Sequence, residues 1–202
     1  VAKDKCDMKG ITTDEERTKY IHSLELSESE RYFYRDVGGE PNKYEFSITS
    51  LHYLSSKDLF LQANEIMMDK LMLVKENLIQ MVKGGDTTIM VKQHTNTSGK
   101  EAENVFDFII TEQDDTLGNV LQSHIVKHFI TDESLISFCG YKRSHPLEEF
   151  ITLTIGVNPQ NPAIEGKTDE QKVTAIVQSL DNIIEDCSKI YDEIVKIGSR
   201  VL

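Results

Sequence analysis

The feature that most constrains the fold is a long apolar stripe near the end of the chain. From Val173 to Ile197, apolar side chains recur every three or four residues, which is the spacing of one face of an α-helix. The stripe spans about 25 residues, or roughly 37 Å at the usual helical rise. Just before it, Thr168-Asp169-Glu170-Gln171 has the form of a capping box, so we expect the helix to begin there. So long an apolar face needs an equally long partner.

A second periodic segment of comparable length provides that partner. Ser55 or Ser56 can cap its start, and Gly84-Gly85 can end it, because glycine enters the left-handed conformation without a steric cost. Its apolar residues are Leu59, Ala63, Ile66, Met67, Leu71, Val74, Leu78 and Met81. We therefore predict that the two helices pack together in one core. The residues predicted to form this packing are Ile66, Leu71, Val74, Leu78, Ile176, Leu180, Ile183, Cys187, Ile190 and Ile194.

The rest of the chain has the alternation of β-strands around shorter helical patterns. Residues 10–31 are polar without a sustained period and predict a loop with one short helix, whereas Tyr44 to Ile48 alternate as a half-buried strand. After Gly84-Gly85 a further series predicts strands over 89–91, 105–110, 135–138 and 150–157, with a helix over 116–129. The fold class is therefore α+β, with two halves, mixed or antiparallel sheets and two long packed helices. The predicted boundaries are 1–82 for the first half, 83–88 for a linker and 89–202 for the second half.

Charge and composition exclude several classes of function. Lys and Arg number 22 against 34 Asp and Glu, which gives a net charge of -12 and no basic cluster to attract a phosphate backbone. Direct nucleic-acid binding is disfavoured, and the apolar runs are too short for a membrane span. Cysteines 6, 139 and 187 have neither zinc-ligand nor disulfide spacing, which fits a reducing compartment. The first residue is valine, and we expect a fragment or a processed product.

Three residue patterns have a chemical interpretation beside a structural one. Asp114-Asp115 precedes a helix, where a helix cap is favoured over a pair of catalytic carboxylates. Cys139 with His145 could form a thiol nucleophile and base, but a cysteine in an apolar strand is usually a small hydrophobe. His124 and His128 are four residues apart on one helix without a third ligand, so a metal site is not predicted. We predict no catalytic residue, cofactor or metal.

Three motifs follow one another in the second half: Asp115-Thr116-Leu117-Gly118-Asn119-Val120-Leu121, then Phe138-Cys139-Gly140-Tyr141-Lys142, then His145-Pro146-Leu147-Glu148. In order and spacing they resemble the eleventh subunit of eukaryotic RNA polymerase II, its counterparts in the other nuclear polymerases, and the L protein of archaeal RNA polymerase. The resemblance covers about residues 86–198. Gln122 stands where relatives usually have arginine, which implies the loss of a charge contact. The motif residues expected to contact partners are Asp115, Thr116, Leu117, Gly118, Asn119, Gly140, Tyr141, Lys142, His145, Pro146, Leu147 and Glu148.

The first half resembles, more weakly, the C-terminal part of the third-largest polymerase subunit, the D protein of archaeal RNA polymerase and the bacterial α N-terminal domain. The resemblance depends on Asn42 to Ile48 leading into the helix from Leu59 to Met81. In that family the two partners pair through long helices, so the resemblance implies a D/L-type dimerisation fold joined in one chain. Fusion of these partners resembles an arrangement in large cytoplasmic DNA viruses.

The resemblance implies a non-catalytic scaffold in transcription, a component of DNA-directed RNA polymerase without enzymatic activity of its own. Its implied partners are the two largest subunits and a small zinc-binding protein like the tenth subunit. The implied location is the host cytoplasm, in the viral factory, and the virion if the chain is viral, or the nucleus if it is cellular. Two alternatives stay open: a stand-alone acidic interaction module, and a thiol enzyme built on Cys139 and His145.

Overall fold

The computed structural model describes residues 6–28, 37, 39, 43–51, 53–131, 133–145 and 147–201. These residues belong to two compact units, Val1–Thr49 and Ser50–Leu202. The division between the units falls before the first long helix, so this helix and the second half of the chain share one unit. The prediction of two halves divided at 82 and 89 stays a prediction.

The first unit contains helix α1, Asp14–Glu28. Its first turn has three acidic residues, which favour a helix N-terminus, and the Thr13 hydroxyl donates to Glu16 Oε2 at 2.8 Å. The helix is longer than the sequence pattern predicted, because its charged residues and leucines have adequate helix propensity without an apolar period. Arg17 ties it to the preceding turn by donating from Nε to the Ile11 carbonyl at 2.9 Å.

The predicted strand over Tyr44 to Ile48 is wrong. Residues 43–51 have no regular secondary structure, and the side chains of Tyr44, Phe46 and Ile48 are 64%, 79% and 43% exposed. A strand needs a neighbouring backbone to pair with, and among the described residues no strand pairs with this segment. Alternation alone therefore does not establish a strand.

The second unit begins with helix α2, Ser56–Val82. Ser55 is its N-cap and accepts from the Asp58 amide at 3.1 Å, and Gly84 ends the helix with a φ of +72°. Asn77 holds two of the six residues that follow Val82 against the helix. Its carbonyl accepts from the Thr87 hydroxyl at 3.0 Å, and its side chain accepts from the Thr88 amide at 3.1 Å.

A four-stranded antiparallel sheet follows α2. Its strands are β1 Ile89–Thr95, β2 Glu101–Thr111, β3 Ile136–Lys142 and β4 Phe150–Val157, in the order β1-β2-β4-β3. Helix α3, Asp115–His128, lies between β2 and β3 in sequence, and helix α4, Asp169–Val201, follows β4. The capping box of α4 is confirmed: the Gln171 amide donates to Thr168 Oγ1 at 3.4 Å, and the Thr168 amide donates to Gln171 Oε1 at 3.2 Å.

The core of the second unit lies on one face of this sheet. On the central strands, Phe106, Phe108 and Ile110 alternate inward from β2 and Ile151, Leu153 and Ile155 from β4, all at most 2% exposed. All three helices of this unit contribute buried residues to the same cluster. The α+β class is therefore confirmed, with one antiparallel sheet among the described residues. None of the helices in the described part of the chain is long and apolar enough to cross a membrane.

Candidate functional site

The two long helices, α2 and α4, form an antiparallel pair. Near one end, Lys57 Nζ of α2 donates to the Ser199 carbonyl of α4 at 2.9 Å, which satisfies a free carbonyl in the last turn of that helix. Farther along, Lys75 Nζ lies 3.1 Å from Asp181 Oδ1 and 3.5 Å from Glu185 Oε2. The close contact with the Asp181 carboxylate raises the pKa of Lys75 above its ordinary value. Polar contacts at two positions along the pair therefore fix the register of one helix against the other.

The residues predicted for the helix packing differ in burial. Seven of them are at most 3% exposed: Leu71, Val74, Leu78, Ile176, Leu180, Ile183 and Cys187. Ile194 is half-buried, whereas Ile66 is 57% exposed and Ile190 is 45% exposed. At the position beside Ile66, Met67 is buried at 7%, because one residue turns the side chain by about 100° around a helix. The buried seam therefore runs through Met67, and Ile66 and Ile190 lie outside it.

The first motif forms the start of α3. Asp114 is the N-cap, and its Oδ1 accepts from the amides of Thr116 at 3.1 Å and Leu117 at 3.4 Å. This confirms the helix cap that the sequence favoured over a pair of catalytic carboxylates. Lys70 of α2 reaches the other carboxylate oxygen of Asp114 at 3.1 Å. The cap therefore also joins α3 to the long helix, a contact that no local motif could reveal.

Gly118 connects the first motif to the second. A Cβ atom at this glycine would lie 2.5 Å from Cδ2 of Tyr141 on β3, far closer than non-bonded carbon atoms approach one another. One turn later, Gln122 Oε1 accepts from the Tyr141 amide at 3.2 Å. Arginine has no acceptor atom and could not make this contact. Gln122 therefore has a structural role at the position where the family resemblance led to an expectation of arginine.

The third motif lies in the loop between β3 and β4, which Arg143 organises. Its Nε donates to the Glu148 carbonyl at 2.9 Å, and its Nη1 lies 3.5 Å from Asp115 Oδ2. His145 Nδ1 accepts from the Leu147 amide at 3.1 Å. The start of α3, the end of β3 and this loop therefore form one contiguous group.

The remaining predicted contact residues occupy different positions in this group. Leu117 is fully buried and has a core role, whereas Leu147 is 84% exposed. Asn119 is exposed and donates from its side chain to the Asp115 carbonyl at 3.0 Å. Thr116, Lys142 and His145 are also exposed, Gly140 is half-buried, and Pro146 lies outside the described residues. The exposed members define a surface at the β3 end of the sheet.

A buried polar cluster on the sheet was not predicted from sequence. Asp107 of β2 is 6% exposed, and its Oδ1 accepts from the Thr154 hydroxyl at 2.6 Å. His94 Nδ1 lies 3.0 Å from the same oxygen. The register places Asp107 directly opposite Thr154, a pairing that becomes visible only once the two strands are aligned in the structure. The cluster satisfies a buried carboxylate between neighbouring strands.

The geometry opposes thiol chemistry at Cys139. This side chain is 4% exposed in β3, and burial raises the pKa of its thiol to about 12. The thiolate required of a nucleophile is therefore scarce at neutral pH. The rings of His124 and His128 are 4.8 Å apart, but within the described ranges no group of three or more potential ligands could hold a metal ion.

The segment from β2 to α4 contains all three motifs and most of the core. Residues 106–193 match the family model of the RNA polymerase Rpb3/Rpb11 dimerisation domain. The antiparallel sheet and its helices are consistent with this dimerisation fold. The match supports an assembly subunit of RNA polymerase and implies a non-catalytic one. Helix α2 and strand β1 lie outside the matched dimerisation domain, although α2 is the packing partner of α4.

Proposed function

We propose that this chain is a non-catalytic scaffold of a multisubunit DNA-directed RNA polymerase, in which the two partners of the family dimer are fused. The observation that carries the proposal is the antiparallel pair of α2 and α4. The matched dimerisation domain supplies α4, while α2, which lies before the match, covers the buried face of α4. In this proposal, helix α2 takes the role of the helix that a partner subunit would contribute.

The connection between α2 and β1 supports this pseudo-heterodimer. Six residues reach at most about 20 Å, and Asn77 holds two of them. A short tether makes association intramolecular, with an effective concentration on the order of millimolar. A fused pair would therefore assemble without a bimolecular step and then nucleate docking of the two largest subunits.

The proposed partners are those two subunits and a small zinc-binding protein like the tenth subunit. Fusion of this kind resembles the arrangement of large cytoplasmic DNA viruses, so the proposal places the chain in viral transcription. Its location would then be the host cytoplasm, in the viral factory, and the virion. A cellular version would work in the nucleus.

The first experiment is affinity purification of the tagged chain from its native source. We expect the two largest polymerase subunits to copurify in stoichiometric amounts. Recovery of the chain without them would contradict the proposed function and favour a stand-alone interaction module.

A second experiment tests the pseudo-heterodimer itself. A protease site inserted between Gly84 and Gly85 lies in the exposed connection. After cleavage, we expect the two fragments to elute together in size-exclusion chromatography and to separate in denaturant. The same cleavage in an Ile183→Asp background should release the fragments, since this change disrupts the helix seam. Separation of the fragments without that substitution would contradict the pseudo-heterodimer.

A further inference from the structure

Strand β1 leaves one of its sides without a neighbouring strand. It is the first strand in the order β1-β2-β4-β3, and within the described part of the chain no strand pairs with its outer side. The Thr111 amide donates to the Thr88 carbonyl at 3.3 Å, and hydrogen-bonded pairs alternate along an antiparallel ladder. Lys92 therefore bonds to β2, whereas the N–H and C=O groups of Val91 and Gln93 point to the open edge.

A cleft of about 590 Å³ lies against this edge. Its apolar lining comes from Met81 and Val82 at the end of α2, Val173 of α4, and Val91 and Phe106 of the sheet. Val82 is 40% exposed, so the cleft is open to solvent. Residues directly opposite each other in a sheet share one face, and alternate residues of a strand point the same way. Every second side chain of a strand added beside β1 would therefore enter this cleft.

The rim of the cleft has an available negative charge. Asp169 and Glu170, in the first turn of α4, both line the cleft and are exposed. Asp169 is paired with Lys172 at 3.0 Å, whereas no group among the described residues pairs with the Glu170 carboxylate. Lys92 also lines the cleft, but it lies opposite Asp107 in the register, so its side chain projects from the other face of the sheet. The cleft therefore favours a positively charged side chain beside Glu170.

We propose that the open edge of β1 binds an extended segment of another protein, which adds a fifth strand to the sheet. The backbone of the segment pairs with Val91 and Gln93, its alternate apolar side chains fill the cleft, and a lysine or arginine reaches Glu170. In the proposed function this segment belongs to another polymerase subunit. The identity of the partner, though not the binding site, therefore rests on that function.

The length of the added strand is limited at both ends of β1. The Ile89 amide already donates to the Thr87 hydroxyl at 3.1 Å, so it is not available to a partner. The register shift between Gln93 and Thr95 ends the regular ladder at the other end. The pairing therefore centres on residues 91–93, and a short peptide is long enough to test it.

The binding test uses the full chain and the synthetic peptide acetyl-Thr-Ile-Thr-Val-Thr-Arg-Thr-amide. Its isoleucine, valine and arginine lie on one face of an extended strand. In an NMR titration we expect the backbone amides of Val91 and Gln93 to shift and to exchange more slowly with solvent. A control peptide, N-methylated at isoleucine and valine, keeps the side chains but loses the donors that face β1. It should bind at least about tenfold more weakly, and equal binding of the two peptides would overturn the proposal.

The charge contact is tested with Glu170→Gln. This variant should bind the arginine peptide about threefold more weakly, which is the size of effect expected for an exposed ion pair. Glu193→Gln is the matched control, because it makes the same change at an exposed position of the same helix outside the cleft. It should change binding less than about 1.5-fold. Equal weakening in the two variants would overturn the proposal.

The peptide assay and the purification of the polymerase distinguish this inference from the proposed function, because peptide binding requires no other subunit. If the two peptides differ as expected but the tagged chain recovers no large subunits, the proposed function fails and the binding site stands. If the large subunits copurify but the chain binds both peptides equally, only the binding site is refuted. Peptide-induced shifts along β3, the other edge strand, instead of at Val91 and Gln93 would also refute it.

Discussion

Replacing Ile183 with aspartate would put a carboxyl group in the seam between the two long helices. Ile183 is 1% exposed and belongs to the same buried cluster as Leu71 and Val74. Removing its apolar side chain forfeits about 2 to 3 kcal/mol of burial. The new carboxyl has no partner built for it, which adds about 2 to 3 kcal/mol. The expected loss of about 4 to 6 kcal/mol is a large part of the total stability of an ordinary domain.

The assay is urea denaturation followed by far-ultraviolet circular dichroism. Ile197→Asp is the matched control, because it makes the same change on the same helix at a site that is 59% exposed. The control should lose less than about 1 kcal/mol. Burial raises the pKa of the introduced carboxyl in the folded state above its unfolded value of about 3.9, so the deficit of Ile183→Asp should be smallest in acid and grow as pH rises. Equal losses of unfolding free energy in the two variants would refute the placement of Ile183 in a buried seam between the helices.

Two further predictions concern the contiguous group formed by the start of α3, the end of β3 and the loop between β3 and β4. Gly118→Ala should lower the free energy of unfolding by about 1 to 3 kcal/mol, because its new methyl group collides with the Tyr141 ring. Adding Tyr141→Ala to the same chain should remove most of the cost of the Gly118 substitution. If urea denaturation shows that the losses of the two substitutions simply add, the contact between the two residues is contradicted. Burial acts to raise the pKa of Asp114, but hydrogen bonds from Lys70 and the Leu117 amide outweigh it and lower this pKa below 3.8. The ionised Asp114 carboxylate therefore stabilises the fold above its unfolded pKa, and this stabilisation is lost as pH falls through its folded pKa. Asp114→Asn keeps a capping side chain but has no charge, so it should melt at a lower temperature than the wild type at neutral pH and at the same temperature in strong acid. A melting difference that persists in acid would contradict this assignment.

The elements predicted most closely are those whose sequence pattern is set by one buried face. Strand β4 has the predicted bounds, 150–157, because it is central and its inward residues are all apolar. Helix α4 begins at the predicted capping box, since the cap is a local hydrogen-bond pattern within four residues. Local chemistry and a strong period were sufficient for both elements.

The features that the sequence did not predict correctly have a common physical origin. The segment Tyr44 to Ile48 has the alternation of a strand, but pairing depends on a distant backbone that the segment does not specify. In the motif group, the sequence located each motif but not the bonds between them, such as Lys70 with Asp114. Residues this far apart along the chain meet only after the core has formed. The sequence therefore located the three motifs, but it did not indicate Lys70 or Arg143, whose contacts with Asp114 and Asp115 connect them.

The antiparallel helix pair also determines when the protein can fold during synthesis. Lys57 and the Ser199 carbonyl, which meet near one end of the pair, are 142 residues apart in sequence. The apolar face of α2 leaves the ribosome long before α4 exists to cover it, so the core can close only after α4 has also been synthesised. Contacts of such long range slow folding and leave apolar surface exposed in the meantime. Truncation within α4 should therefore yield a chain that aggregates, even though the sheet and α2 have been made in full.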